Sequence, residues 1–245
     1  MVIGFVGSGN MARALAVGWG EPALFTDGGS GRASALAADV GGEALASNGE
    51  LGSRADLLVL AHKPAQLESV AAEVGSAKLV VSLLGAVTLA SLEAVYPGAR
   101  IVRAMPNTAV AVREGVTCLC GEEVAEAEEL FARVGLLVRL PERLMDAATA
   151  VSGVAPAYVA LIAEAWIDAA VAQGIPAGQA GELVGASIAG AAALLRSRGM
   201  DTLAVRREVT SPGGMTARGL RALEQAGLRS AFASAAGAVA GSSPK

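Results

Sequence analysis

The chain has 245 residues, of which 53% are hydrophobic and only 3% aromatic, and its net charge at pH 7 is −4. This length allows one large domain or two small ones with cores of their own, and so many small apolar residues suggest extensive burial between subunits. The acidic balance argues against a nucleic-acid-binding surface, the single histidine argues against a metal site, and an apolar strand directly after Met1 argues against a secretion signal.

The first fourteen residues carry the motif around which the chain is organised. Residues 2–6 are a short apolar run, residues 7–12 form a G-x-G-x-x-A pattern, and helical spacing follows from Arg13. This order predicts a strand, a tight turn and a helix that binds a dinucleotide pyrophosphate. Gly7 permits the turn, Gly9 lets the backbone approach the phosphates, and the helix N-terminus offers free N–H groups. We therefore expect the cofactor to contact Gly7, Ser8, Gly9, Asn10 and Met11.

A second predicted strand, residues 23–26, leads to Asp27, where many such folds contact the adenosine ribose. A carboxylate at this place favours NAD(H). The hydroxyl of Ser30, the guanidinium of Arg32 and the free N–H groups between them favour a 2′-phosphate, and hence NADP(H). An interpretation of Asp27 as a turn or capping residue is nearly as strong as the ribose contact. The sequence leaves the choice between NADPH and NADH open.

Further strands are predicted over residues 56–61, 78–84 and 100–105, and the first two are apolar throughout their centres, as in a sheet covered on both faces. Ligands of doubly wound folds bind at the carboxyl ends of strands. For His62 we prefer the simpler interpretation of a loop histidine without a chemical function. The residues expected to line the cofactor cleft at these strand ends are Ala61, His62, Lys63 and Gly85.

Residues 116–120 and 136–140 predict two more strands on either side of an acidic helix. The alternation of strands and helices up to this point predicts a doubly wound α/β domain with a parallel sheet over residues 1–148. Cys118 and Cys120 are too close in sequence for an unstrained disulfide. We expect both to be reduced, buried thiols of a cytoplasmic protein.

The second part of the sequence predicts an all-helical domain over residues 149–245. Long helices are expected over residues 156–173 and 179–198, followed by a loop over residues 210–216 and another helix. The apolar faces of these helices are unsuited to a free monomer, so we expect a homodimer. The most apolar run, residues 154–171, contains two carboxylates, and we expect no membrane-spanning helix.

Motifs along most of the chain resemble the pyrroline-5-carboxylate reductase family. They lie in residues 3–12, 63–64, 103–108, 151–158 and 211–216. The family reduces a cyclic imine to L-proline with NADPH or NADH, the last step of proline biosynthesis. The resemblance implies an N-terminal Rossmann domain and a C-terminal helical domain that intertwines with its dimer mate. In some members the dimers form rings.

The resemblance also implies a substrate site in the last of these motifs. Main-chain N–H groups of Gly213, Gly214 and Met215, in the loop that begins at Ser211, would bind the substrate carboxylate. The Thr216 side chain would hydrogen-bond the ring nitrogen. Amide donors in a glycine loop suit an anion, and a basic imine needs positioning rather than a strong protein acid. The alternative for Thr216 is the N-cap of the following helix.

Two more residues are implied by the resemblance. Glu142 would face the substrate, although a first-turn helix acid explains it equally well, and Asn48 would contact the cofactor. The sequence departs from the family pattern at His62, at residues 84–86, at Arg207 and at Val154-Ala155, where the family has a smaller pair.

Two other functions stay open. A β-hydroxyacid dehydrogenase would need a lysine general acid on a core helix, and residues 156–195 contain none. A non-catalytic dinucleotide-binding protein of the same fold is kept open by the bulkier Val154-Ala155 pair. Cofactor binding without turnover would favour this last function.

Overall fold

The structure, a computed structural model, describes residues 1–240 of the chain. These residues group into two compact units by their internal contacts. The first unit comprises residues 1–156 together with the described residues from Ala238 onward, and the second comprises residues 157–237.

The first unit contains an eight-stranded sheet. Its strands are β1 (Ile3–Val6), β2 (Leu24–Thr26), β3 (Glu43–Ala44), β4 (Leu57–Leu60), β5 (Leu79–Ser82), β6 (Arg100–Pro106), β7 (Gly115–Gly121) and β8 (Gly135–Arg139). They follow the order β3-β2-β1-β4-β5-β6-β7-β8, so the chain changes direction across the sheet at β1 and β4. A ligand crevice is expected outside the carboxyl ends of the strands at such a switch point.

Seven α-helices accompany the sheet. They are α1 (Asn10–Trp19), α2 (Arg32–Val40), α3 (Asn48–Arg54), α4 (Leu67–Val74), α5 (Leu89–Val95), α6 (Ala125–Ala132) and α7 (Met145–Ala148). Alternate residues of β4 belong to two different apolar clusters, Leu57 and Val59 to one and Leu58 and Leu60 to the other. Because successive side chains of a strand point to opposite faces, both faces of the sheet are covered. The predicted α/β class is confirmed.

One pair of strands differs from the predicted parallel sheet. β7 runs antiparallel to β6, whereas every other neighbouring pair is parallel. The connection between them, residues 107–114, is too short for the crossover that parallel strands require. β7 therefore returns directly along β6, and β8 pairs parallel to β7 after the α6 crossover.

Several elements had no clear signal in the sequence: β3, α3, α4, α5 and a later helix over residues 202–208. α3 shows the reason, since it contains Gly49 and Gly52 and few apolar residues. It forms because the Ser47 side chain accepts a hydrogen bond from the Glu50 N–H and because Leu51 is fully buried. Tertiary burial of one leucine thus outweighs a weak intrinsic helix propensity.

The remaining helices are α8 (Ala155–Ala172), α9 (Ala177–Ser197), α10 (Thr202–Glu208), α11 (Met215–Gln225) and α12 (Leu228–Ala240). Apart from the outermost residues of α8 and α12, they form the second unit. No strand follows β8 in the described part of the chain, in agreement with the predicted helical domain. Before α8, residues 142–153 form a 3₁₀ turn, the short helix α7 and a π-helical turn rather than one regular helix.

The expectation of no membrane-spanning helix stays a prediction, because one helical stretch of the described residues is long enough and apolar enough to cross a membrane. The continuous helical stretch Glu142–Ala172 meets both criteria. α8 has no buried residue, and large apolar side chains such as Leu161 and Trp166 are exposed. A core helix of a soluble protein meets the same criteria once its apolar surface is covered.

The predicted loop over residues 210–216 ends earlier than expected. α11 begins at Met215, and Gly214 occupies the N-cap position in an extended conformation. Thr216 is therefore already inside the helix, and its interpretation as the N-cap residue is wrong.

Candidate functional site

A cavity of about 510 Å³ opens at the carboxyl ends of β1, β2 and β4. Most of the predicted cofactor residues meet there, together with Gly28, Arg32 and Gln66, of which Gln66 had no signal in the sequence. The residues that line the cavity are Gly7, Ser8, Gly9, Asn10, Met11, Asp27, Gly28, Ser30, Arg32, Ala61, His62, Lys63 and Gln66.

The two glycines of the turn have different functions. Gly7 has a φ of +97°, and a Cβ there would lie 2.7 Å from the Ala61 carbonyl oxygen and 2.8 Å from the His62 nitrogen. The turn is thus packed against the end of β4 so closely that only glycine fits. A Cβ on Gly9, the N-cap residue of α1, would meet nothing within 4 Å. Gly9 instead keeps the space in front of the helix free.

The cavity has the charge that a dinucleotide phosphate requires. The first turn of α1 contains no acidic residue, so no carboxylate of that turn neutralises its N–H groups or the positive end of the helix dipole. Arg32 and Lys63 line the same cavity. Together with the open space at Gly9, these features fit a bound pyrophosphate and a second phosphate on the adenosine ribose.

Asp27 is already engaged by the loop that follows it. Its carboxylate accepts hydrogen bonds from the N–H groups of Gly29 (2.8 Å), Ser30 (3.2 Å) and Ala33 (2.9 Å) and from the Ser30 hydroxyl (2.9 Å). The Ala33 N–H is the strongest of the influences that hold the pKa of Asp27 below its usual value. The carboxylate therefore stabilises the loop between β2 and α2. This contact corresponds to the alternative interpretation of Asp27 as a turn or capping residue.

His62 is half-buried beside this cavity. Its Nδ1 lies 2.9 Å from the Lys63 carbonyl oxygen, which assigns the proton to Nδ1 because a carbonyl can only accept. Burial lowers the pKa of His62, and the carbonyl offsets this only in part, so the ring is neutral near pH 7. Its buried Nε2 has no partner among the described residues.

Two predicted cofactor residues do not line this cavity. The Asn48 amide accepts from the Thr26 hydroxyl (2.6 Å) and donates to Glu73 (2.7 Å), so it links α3 to β2 and to α4. Gly85 is exposed in the loop after β5. Because β5 lies beside β4, this loop leaves the same edge of the sheet, one strand further along.

Glu142 makes contacts that were expected neither for a substrate-facing residue nor for a first-turn helix acid. Its Oε1 accepts a hydrogen bond from Arg103 Nη1 (2.6 Å) and another from the Leu89 N–H (2.7 Å). Arg103 lies on β6 and is 4% exposed. The alternating strand around Arg103 gave no reason to expect a buried cation, because its partner is 39 residues away in the sequence.

Asn107 joins the end of β6 to the π-helical turn. Its side chain donates to the Ser152 carbonyl (3.0 Å) and accepts from the Val116 N–H (3.2 Å). Cys118 and Cys120 are free and buried, as predicted, and burial raises the pKa of the Cys120 thiol. Within residues 1–240 no group of three or more His, Cys, Asp or Glu side chains is arranged to hold a metal ion.

The predicted carboxylate-binding loop lies in the second unit. Gly213 has a φ of +69°, and a Cβ on Gly214 would lie 2.4 Å from the Ser211 hydroxyl oxygen. The Gly214 N–H donates to the Ser211 carbonyl (3.1 Å) and is thus occupied within the turn. Met215 and Thr216 begin α11, where N–H groups have no intrahelical acceptor.

The sequence and the structure are similar to known proteins. Residues 142–244 match a family model described as pyrroline-5-carboxylate reductase dimerisation, and residues 2–85 match one described as NADP oxidoreductase, coenzyme F420-dependent. The chain is 36% identical to pyrroline-5-carboxylate reductase of Methanosarcina acetivorans, with 95% of this chain and 93% of that protein covered.

Solved structures of the same family are similar to this chain over almost its whole length. The crystal structure of 1-pyrroline-5-carboxylate reductase from Streptococcus pyogenes has a TM-score of 0.90 and 27% identity, and 99% of this chain and 98% of that chain are covered. Pyrroline carboxylate reductase of Plasmodium falciparum, crystallised with NADP bound, has a TM-score of 0.86 and 28% identity, with 99% and 97% covered.

Proposed function

This chain belongs to the pyrroline-5-carboxylate reductase family, and from that premise we propose how its residues divide the work of the reaction. The protein is an NAD(P)H-dependent enzyme that reduces the C=N bond of 1-pyrroline-5-carboxylate to give L-proline. The observation that carries the proposal is the cationic cavity around the glycine turn, which fits the cofactor that the reaction requires.

The cavity residues bind and orient the cofactor. Gly7 and Gly9 open the turn at α1, whose N-terminal N–H groups receive the pyrophosphate. Lys63 adds a positive charge at the end of β4. When bound, NAD(P)H supplies the hydride for the imine carbon.

We further propose that NADPH is preferred over NADH. The Asp27 carboxylate already accepts three hydrogen bonds from its own loop and one from the first turn of α2, which reduces its capacity to bind a ribose hydroxyl. Arg32 lines the same cavity and has the fork of donors that suits a phosphate.

The substrate is assigned to the loop Ser211–Gly214 and the first turn of α11. N–H groups of Gly213 and Met215 are proposed to bind the carboxylate, and the Thr216 hydroxyl to hydrogen-bond the ring nitrogen. The absence of acidic residues from the first turn of α11 supports an anionic ligand there. Because the imine is basic, it arrives with its own proton, and the protein has only to hold it in place.

The helical domain, residues 149–245, is assigned to dimerisation. The match to the dimerisation model identifies the chain as a homo-oligomer. We propose a homodimer in which the exposed apolar side chains of α8 and α12 are covered, and a ring of dimers as the larger assembly to test. This covering, rather than a membrane, accounts for the apolar stretch Glu142–Ala172.

The proposal also includes the location and the partners of the protein. We propose that it is cytoplasmic and that it binds no nucleic acid.

Steady-state kinetics test the proposal directly. The purified protein is mixed with 1-pyrroline-5-carboxylate and either NADPH or NADH, and loss of the reduced cofactor and formation of proline are followed. Proline formation with a higher kcat/KM for NADPH is expected. Cofactor binding without turnover would contradict the proposal and support the non-catalytic alternative.

A further inference from the structure

We propose that Arg103 and Glu142 are a positioning pair, which holds the loop between β5 and α5 in the conformation that receives the nicotinamide half of the cofactor. This β5–α5 loop comprises residues 83–88. The inference rests on the proposed function, because it assigns this loop to the cofactor of that reaction.

The pair is built around a buried cation. Arg103 is 4% exposed, and its Nη1 donates to Glu142 Oε1 over 2.6 Å. Its Nε is buried without a partner among the described residues, so Glu142 is the acceptor that compensates this charge. A charge removed from water in this way depends strongly on its counter-ion. Glu142 is therefore held tightly by β6.

The same carboxylate oxygen reaches the beginning of α5. It accepts the N–H of Leu89, the first residue of α5, over 2.7 Å. Thr88, the N-cap residue, accepts the N–H of Ser91 with its own hydroxyl. Glu142 thus satisfies a helix N-terminal donor that the local cap leaves open, and its negative charge suits the positive end of the helix.

The β5–α5 loop is fixed at both ends and exposed in the middle. Leu84 and Val87 are buried, while Gly85 and Ala86 between them are exposed. Ala86 has a φ of +60°, a left-handed conformation that is unfavourable for a residue with a Cβ. Such a conformation persists only where the surroundings impose it, and it is common in loops that bind ligands.

The position of the loop points to the nicotinamide half. β5 is parallel to β4, with Ser82 beside Leu60, so the loop leaves the sheet next to the residues after β4 that line the cofactor cavity. The loop that contains Asp27 lies on the other side of β1. A dinucleotide that places its adenosine there and its pyrophosphate at β1 extends toward β5.

In this assignment Glu142 acts through the loop and touches neither substrate nor cofactor. This role can be distinguished from that of a substrate-facing acid, because replacing Glu142 would change a different measured constant in each case. A positioning residue for the cofactor alters the Kd of NADPH in the absence of imine. A substrate-facing acid alters kcat or the KM of the imine instead.

The first test titrates NADPH into the full-length protein without imine and then measures the imine KM at saturating NADPH. Glu142→Ala should raise the Kd of NADPH about tenfold and leave the imine KM within about twofold. Glu142→Gln keeps an oxygen that accepts from Leu89 but removes the counter-charge of Arg103, so it should recover only part of the affinity. An unchanged Kd with a lower kcat or a higher imine KM would overturn the proposal.

A second pair of variants leaves the ion pair intact and decides the matter even if Glu142→Ala does not fold. Ala86→Gly accepts the left-handed conformation, so its Kd for NADPH should rise much less than that of Ala86→Val. Ala86→Val opposes that conformation and should raise the Kd about as much as Glu142→Ala. Wild-type affinity in Ala86→Val would overturn the proposal. Because NADPH binding is measured without imine, a protein that reduces no imine contradicts the proposed function alone.

Discussion

At the scale of the residue, the function of a polar side chain depends on which of its hydrogen-bonding atoms the fold already occupies. Asp27 has three donors from its own loop and one from the first turn of α2, and Glu142 has two donors from other elements. Both carboxylates are therefore structural in their immediate contacts, although both lie at or near the ligand edge of the sheet. Thr216 lies in the first turn of α11, where its hydroxyl is not used as the N-cap.

Asp27→Ala should weaken the binding of NADPH and NADH together. The loop loses the acceptor of four hydrogen bonds, and we expect a loss of about 1–2 kcal/mol in binding free energy for each cofactor, measured by titration. Asp27→Asn keeps one acceptor oxygen and serves as the matched control with a smaller loss. A shift of the affinity ratio toward NADPH would instead identify Asp27 as a ribose ligand.

Thr216→Ala should lower kcat/KM for the imine by the equivalent of about 1–3 kcal/mol, because one hydrogen bond to the ring nitrogen is lost in the transition state. Thr216→Ser retains the hydroxyl and should keep most of the activity. The measurement is steady-state kinetics at saturating NADPH. If alanine were as active as threonine, the assignment of this hydroxyl to the ring nitrogen would fail.

At the scale of the element, the strand–turn–helix unit of β1 and α1 is specified almost entirely by local signals. The apolar run, the two glycines and the small Ala12, which is fully buried, all agree. Elements such as α3 lack that agreement and depend on a cap and on the burial of one leucine. The reversal of β7 depends on the length of a connection rather than on any residue in the strand.

Replacing each glycine of the turn by alanine separates folding from binding. Gly7→Ala should destabilise the protein by about 1–3 kcal/mol, since its Cβ meets the backbone of β4 in a left-handed conformation. Gly9→Ala should change the unfolding free energy by less than about 1 kcal/mol, because its Cβ points into open space.

The Gly9→Ala methyl group occupies the place assigned to the pyrophosphate, so this stable variant should bind NADPH poorly. Denaturant unfolding and NADPH titration give the two readouts. Normal NADPH affinity in Gly9→Ala would show that the phosphates bind elsewhere.

At the scale of the whole molecule, the apolar composition is explained by assembly. α8 is apolar except for Glu164 and Asp168 and buries no residue in the single chain, which is the pattern of a helix covered by another subunit. The same property makes the stretch Glu142–Ala172 resemble a membrane span. Composition alone does not distinguish the two environments, because both remove the same side chains from water.

Leu161→Glu should dissociate the proposed dimer. Leu161 is 66% exposed in the single chain, and a carboxylate buried at a subunit interface without a partner costs at least about 2 kcal/mol of association free energy. Val112→Glu, at a residue of the first unit that is 72% exposed, is the control and should leave the assembly intact. Light scattering coupled to size exclusion measures the mass. A Leu161→Glu protein with an unchanged mass would contradict the proposed interface.

Much of the fold followed from the sequence alone, because its strands are short apolar runs that end in turn residues and its glycine motif has a narrow geometric meaning. Most of the residues around the cofactor cavity were predicted for the same reason, since they follow three strands of one sheet. The division into residues 1–148 and 149–245 and the functions of the individual site residues stay predictions.

The sequence by itself determined the α/β class, the glycine turn and the helical second part, since each rests on residues that are neighbours in the chain. Only the tertiary structure decided that β7 runs antiparallel and that Arg103 is buried against Glu142. Those outcomes depend on loop closure and on partners distant in sequence. The physical reason is that hydrogen bonds and charges are satisfied by proximity in space, which local periodicity does not encode.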